Sequence, residues 1–245
     1  MRRYKTALGA LGLALAVAAV PASAADFIFS GNTDVRGTTT YRDFKSTDKT
    51  MDVRASAWSV SGSTLSNAYL GVYGQGLGVT ADSENGNSNT HVIDNLGKLD
   101  FVLLQFSAPV LMSSFTTSPF SVNGSIDSDA FLAWGTSGTA WNSVLALDGK
   151  SVSTLNQMLS GVTEITGGNS ASTRSVGTAT ASNLWLVAAS QSNTDGKTDG
   201  FKLGGVKVTS PVPEPGTWMM MLAGFGAMGF ALRRRGKTVA TAAAI

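Results

Sequence analysis

The chain has 245 residues, 43% of them hydrophobic, with one histidine and no cysteine. It can bury a core, but it has no material for disulfides, cysteine-based zinc sites, iron–sulfur ligation or thiol catalysis. Seven of its 18 basic residues (Arg2, Arg3, Lys5, Arg233, Arg234, Arg235 and Lys237) lie in the end segments, leaving 11 against all 16 acidic residues and a net charge of about −5 between them. The formal charge of +2 is thus a property of the ends, and nothing supports nucleic-acid binding.

At the N-terminus, Arg2 and Arg3 precede an apolar stretch from Ala7 to Val20, then Pro21 and the small residues Ala22 and Ala24. This is the three-part layout of a secretory signal peptide over residues 1–24, with cleavage after Ala24 or Ala25. A permanent anchor is the competing reading, and the short apolar stretch and the A-S-A site weigh against it.

Strand signals then recur between turn residues. In MDVRASAWSV, Met51, Val53, Ala55 and Ala57 fall on one face with period two. AYLGVYG (68–74) and GLGVT (76–80) follow, and LDFVLLQF (99–106) is almost continuously apolar, as expected of a strand covered on both faces. DAFLAWG (129–135), NLWLVAAS (183–190) and FKLGGVKVTS (201–210) complete the clear set. Clusters such as DSENGNSNT and SNTDGKTDG separate them. Trp141–Gly161 is the one helical candidate, and Gly167–Ser182, poor in apolar residues, reads as a long mobile loop. The expected class is all-β: an antiparallel β-sandwich or jelly roll over residues 25–210.

Chemistry-bearing residues are sparse. His91 has Asp94 three positions on, yet no G-x-S-x-G stretch accompanies it, so a loop histidine is expected and no catalytic residue is named. Asp127 and Asp129 in GSIDSDAF, and Asp195 and Asp199 in NTDGKTDGF, are the candidate ligands for a hard cation such as Ca²⁺. Neither segment follows the EF-hand pattern, and Asx turns opening strands are the stronger reading. Trp58, Tyr69, Tyr73, Trp134, Trp141 and Trp185 could stack on sugars, but most sit in apolar strand patterns that favour core packing.

The C-terminal segment is the most informative. PVPEP is followed by sixteen uncharged residues, Thr217 to Leu232, and by Arg233, Arg234 and Arg235. Pro213 and Pro215 disfavour helix at Val212 and Glu214, leaving an extended stretch that a protease can bind. Sixteen residues of helix reach about 24 Å against a hydrocarbon core of about 30 Å. With Pro215 and Gly216 included, a single transmembrane helix over about 216–232 is expected, the arginines fixing its cytoplasmic end. A short tail, 237–245, remains.

At these residues the chain resembles the PEP-CTERM sorting domain of Gram-negative bacteria, across residues 211–236. The resemblance implies recognition by an exosortase, an integral-membrane transpeptidase-like enzyme, and removal of the signal near Pro213, Glu214 and Pro215. It also implies an inner-membrane-anchored precursor that passes to the periplasm, outer surface or extracellular matrix. The tail runs about ten residues past the arginines, where family members usually stop sooner. More loosely, GLGVTADSENGNSNTHVIDNLGKLDFVLLQF, DSDAFLAW and the late DGFKLGGVKV are similar to a group of exosortase-dependent surface proteins. That likeness implies an exported all-β body and no mechanism. The expected function is a non-enzymatic surface or matrix protein associated with exopolysaccharide or biofilm. An exported lectin, with or without calcium, or a polysaccharide hydrolase is the alternative.

Overall fold

The computed structural model describes residues 24–32, 39–82, 84, 91–177, 180–192, 195–211 and 215–241. The chain divides into a β unit, Ala22–Pro211, and a second unit that includes the C-terminal helix. In chain order the β unit holds β1 (Ala24–Ile28), β2 (Tyr41–Lys45), β3 (Asp52–Ser61), β4 (Thr64–Asn67), β5 (Tyr69–Tyr73), β6 (Gly76–Thr80) and β7 (Ile93–Asp94). Then come β8 (Leu99–Pro119), β9 (Ser121–Val122), β10 (Ser125–Ile126), β11 (Ala130–Gly135), a one-turn helix α1 (Val152–Asn156), β12 (Leu159–Ile165), β13 (Ser172–Ser175), β14 (Ser182–Ala189) and β15 (Gly200–Thr209). Every strand pairing is antiparallel. The expected all-β antiparallel class holds.

β8 organises the sheet. Its first part lies between β3 (Val53↔Phe106 through Val60↔Leu99) and β14 (Leu184↔Gln105 through Ala188↔Phe101). Its last part lies between β13 and β15. The exchange of neighbours falls at Ser107, Ala108 and Pro109, the exposed stretch of the strand. Proline has no N–H for a ladder, so pairing lapses there; β14 rejoins once, at Ser182↔Val110, before β15 and β13 take over. β12-β11-β14-β8-β3 therefore forms one half of the sheet, and β8-β15 with β1, β6, β7 and β13 the other.

The two halves share one core. Val53, Ala55, Val102, Leu104, Phe106, Trp185 and Val187 from the first half cluster with Phe27, Leu77, Phe115, Leu203, Val206 and Val208 from the second. The period-two face expected for Met51, Val53, Ala55 and Ala57 is the face that enters this core. Alternate residues of β8 and β14, Phe101, Leu103, Leu184 and Leu186, belong to a second cluster with Leu145, Leu147 and Leu155. β8 and β14 are thus covered on both faces, which is why their sequences run apolar without alternation.

Two expectations are corrected. The helical candidate Trp141–Gly161 contains only α1, capped by Ser151, whose hydroxyl accepts from the Ser153 N–H at 3.3 Å. Gly149, at φ +71°, turns the chain before it, so Leu145 and Leu147 reach the sheet from an irregular segment. The loop expected over Gly167–Ser182 contains β13, paired with β8 from Ser172↔Thr117 to Ser175↔Ser114. Polar residues on an edge strand carry little hydropathy signal, and the partner strand supplies the order.

Candidate functional site

The short β7 lies against the start of β15, with Asp94 opposite Gly200 and Ile93 opposite Phe201. Asp94 on β7 and Asp199 just before β15 each belong to a cluster of carboxylates. Oxygens of Asp127, Asp129 and Asp199 come within 4.8 Å of one another, and so do oxygens of Glu84, Asp94 and Asp100. Three of the four cation candidates named from sequence thus meet from segments about seventy residues apart.

In the first group each carboxylate is already engaged. Asp127 accepts from the Ser128 N–H at 2.7 Å and from Lys197 Nζ at 3.0 Å. Asp129 accepts from the Gly167 N–H. Asp199 accepts from the Asp129 N–H and from Asn95 Nδ2, each at 3.0 Å. The Arg174 guanidinium, on β13, binds the Ser128 carbonyl at 2.6 Å and its hydroxyl. Lys197 and backbone N–H groups engage the carboxylates directly, and Arg174 holds Ser128 between Asp127 and Asp129. Burial, reinforced by Asp129 and Asp127, raises Asp199 to about 7. Asp195 lies outside the group: it is exposed, pairs with Lys197 at 2.9 Å, and is lowered chiefly by that hydrogen bond. Of the four acids, Asp195 makes an Asx turn, accepting from the Lys197 N–H at 3.0 Å, while Asp129 and Asp199 accept from distant backbone N–H groups and Asp127 and Asp129 lead into β11.

Sequence reading missed the second group. Asp94 accepts from the Leu96 N–H at 2.9 Å and Glu84 from the Ala81 N–H at 2.9 Å. Asp100 is 1% exposed, and neither of its oxygens has a hydrogen-bond partner among the described residues. Burial pushes Asp94 up to about 7 and Asp100 well above the carboxylate range, with Lys98 opposing the shift at Asp100. The available signal was Asp100 itself, an acid inside the apolar run Leu99–Phe106.

His91 shares a 2.7 Å hydrogen bond with Thr80 and stacks on Tyr73 at 5.8 Å between ring centroids. Trp58 and Trp185 are fully buried, and Trp134 packs on Trp185 at 5.6 Å. These three indoles are accounted for by packing. A groove of about 700 Å³ opens on the outer side of the first half, lined by Val60, Leu99, Phe101, Phe131 and Leu159 among others.

In the second unit, a helix α2 runs from Pro215 to Thr241. Proline at a first helical position fits, because its missing N–H would have had no partner there. The helix passes through Arg233–Arg235 and the start of the tail instead of stopping near Leu232. Met220, Phe225, Met228, Phe230 and Leu232 are all more than 60% exposed. Among the described residues, no helix is long and apolar enough to cross a membrane. The uncharged run is short, and Gly224, Gly226 and Gly229 dilute it. Pro213, Glu214 and Ala22 lie outside the described residues, and Ala24 opens β1.

Residues 211–235 match the family model for the PEP-CTERM protein-sorting motif. The chain carries a PEP-CTERM sorting signal. The motif implies an exported protein recognised by an exosortase and processed at the membrane. It starts two residues after β15 ends. No curated protein and no solved structure matches the chain.

Proposed function

We propose that the chain is an exported cell-surface or extracellular-matrix protein of a Gram-negative bacterium, cut by an exosortase at Pro213–Pro215. A signal peptide, residues 1–24, directs export. α2 engages the membrane transiently, with Arg233, Arg234 and Arg235 on the cytoplasmic side. Its exposed apolar surface supports this, since a helix without a polar face is unfavourable in water. Arg233 reaching toward the headgroups offsets the short span. The released body is a non-enzymatic β-sandwich with a structural or binding role in exopolysaccharide or biofilm.

The sorting motif directly after the last strand carries the reading. Replacing Pro213, Glu214 and Pro215 together with alanine should block processing and retain the precursor in the membrane fraction. An unchanged mature C-terminus and location by mass spectrometry would rule out exosortase sorting.

The alternative, a lectin or polysaccharide hydrolase using Asp127 and Asp129, fits less well because those carboxylates already hold Lys197 and backbone donors. Calcium at Asp127, Asp129 and Asp199 would have to displace them. Glycan binding abolished by chelator and by Asp127→Ala with Asp129→Ala, or turnover of a polysaccharide, would favour that alternative.

A further inference from the structure

We propose that Glu84, Asp94 and Asp100 form a calcium site in the body, separate from the Asp127–Asp129–Asp199 group. Their oxygens lie within 4.8 Å of one another. Two ligands on opposite sides of Ca²⁺, each at about 2.4 Å, are separated by about that distance. The donors are all carboxylate oxygens, with no nitrogen or sulfur, which selects a hard cation over zinc or copper.

The deciding observation is Asp100. It is 1% exposed, it belongs to the cluster, and both its oxygens lack a hydrogen-bond partner among the described residues. The residue opposite it on β3, Ser59, is 0% exposed, and its hydroxyl is likewise unpartnered among those residues. Cross-strand partners present side chains on one face. A buried carboxylate without donors is among the least favourable groups in a fold unless a cation or a proton neutralises it. Two neighbouring carboxylates aggravate the repulsion, and an ion placed among the three relieves it.

The contrast with the other group is chemical. There Lys197 and backbone N–H groups occupy the lone pairs. Here the Leu96 N–H engages one oxygen of Asp94 and the Ala81 N–H one of Glu84, and Asp100 has no hydrogen-bond partner among the described residues. Three carboxylates supply about half of the six to eight oxygens calcium takes, and water completes the shell.

The test uses the full chain in detergent, stripped with EDTA and titrated with CaCl₂ by calorimetry, with MgCl₂ in parallel. One calcium per chain is expected, with a rise in Tm on the order of 5 °C at about 100-fold excess over Kd. Magnesium should bind at least about tenfold more weakly, because it demands regular octahedral geometry and gives up water reluctantly. Asp100→Asn should abolish the calcium response while unfolding in EDTA at or above the parent Tm, since an unpartnered buried acid has gone. If Asp100→Asn fails to fold, Glu84→Gln at a half-buried position carries the test and should weaken binding at least about tenfold. Asp129→Asn should leave binding intact. The proposal is overturned if the parent shows neither binding heat nor Tm shift. It is equally overturned if the response survives both Asp100→Asn and Glu84→Gln, or is lost in Asp129→Asn alone.

Discussion

Asn95 and Asp199 hold each other across 104 residues of sequence by a reciprocal pair of hydrogen bonds. Asn95 Nδ2 donates to the Asp199 carboxylate at 3.0 Å, and the Asp199 N–H donates back to Asn95 Oδ1 at 3.0 Å. The same Asn95 amide also reaches the Ser190 carbonyl at 2.9 Å, so one side chain joins the ends of β7, β14 and β15. Truncating it would leave a buried carboxylate short of a donor. Asn95→Ala should lower stability by about 1–3 kcal/mol in urea titrations, while Asn95→Gln restores only part because the amide is displaced. A change under about 0.5 kcal/mol would mean that solvent replaces the clasp.

The carboxylates make a distinctive pH profile. Burial raises Asp94 and Asp199 to about 7 in the fold, and burial, with Asp94 and Glu84 adding to it, holds Asp100 well above its ordinary value. The ordinary value for each is 3.8. The folded state therefore holds more protons than the unfolded state between about pH 4 and 7, so stability falls as pH rises through that window. In EDTA the urea midpoint should be higher at pH 5 than at pH 8. A midpoint that climbs between those values would contradict protonation of these groups in the fold.

Gly76 opens β6 at φ +130°, and a Cβ there would collide with the Leu203 carbonyl of β15. Neither the backbone angle nor the strand contact tolerates a side chain. Gly76→Ala should cost more than about 2 kcal/mol. Gly74 has open space around its Cβ position and an ordinary backbone angle, so Gly74→Ala should be close to neutral. Equal effects of the two substitutions would refute the steric account.

Phe27 on β1 is 2% exposed and meets the Phe106 ring edge-on at 5.6 Å between centroids. With Ala25 it carries the first strand into the shared core. Phe27→Ala should destabilise the body by about 3–5 kcal/mol by calorimetry or denaturant titration. A loss below about 1 kcal/mol would show that β1 contributes little to the body.

The legible strands were those whose own residues encode burial. GLGVT over 76–80 and NLWLVAAS near 183–190 became β6 and β14 because their apolar residues are buried wherever the chain turns. β2, YRDFK, and β13, STRS, expose alternate residues and take their order from β3 and β8. A single sequence cannot display a neighbour's support. The carboxylates divide in the same way. Asp127 and Asp129 stood out by their spacing, whereas Glu84, Asp94 and Asp100 are spread over 17 residues and meet only in the fold, Asp94 from β7 and Asp100 from the start of β8.

β15 is the last strand of the body in sequence, yet it is an inner one, bonded to β8 on one side and to β1, β6 and β7 on the other. Asp26, Phe27 and Ile28 of β1 pair with Lys207, Val206 and Gly205. A chain interrupted anywhere before residue 200 therefore leaves its opening strand, β1, with no place to dock. β1 gains its partner strand only once β15 has been made. Completion of the fold and arrival of the address that follows it are thus tied to the same few residues, so a truncated product lacks both.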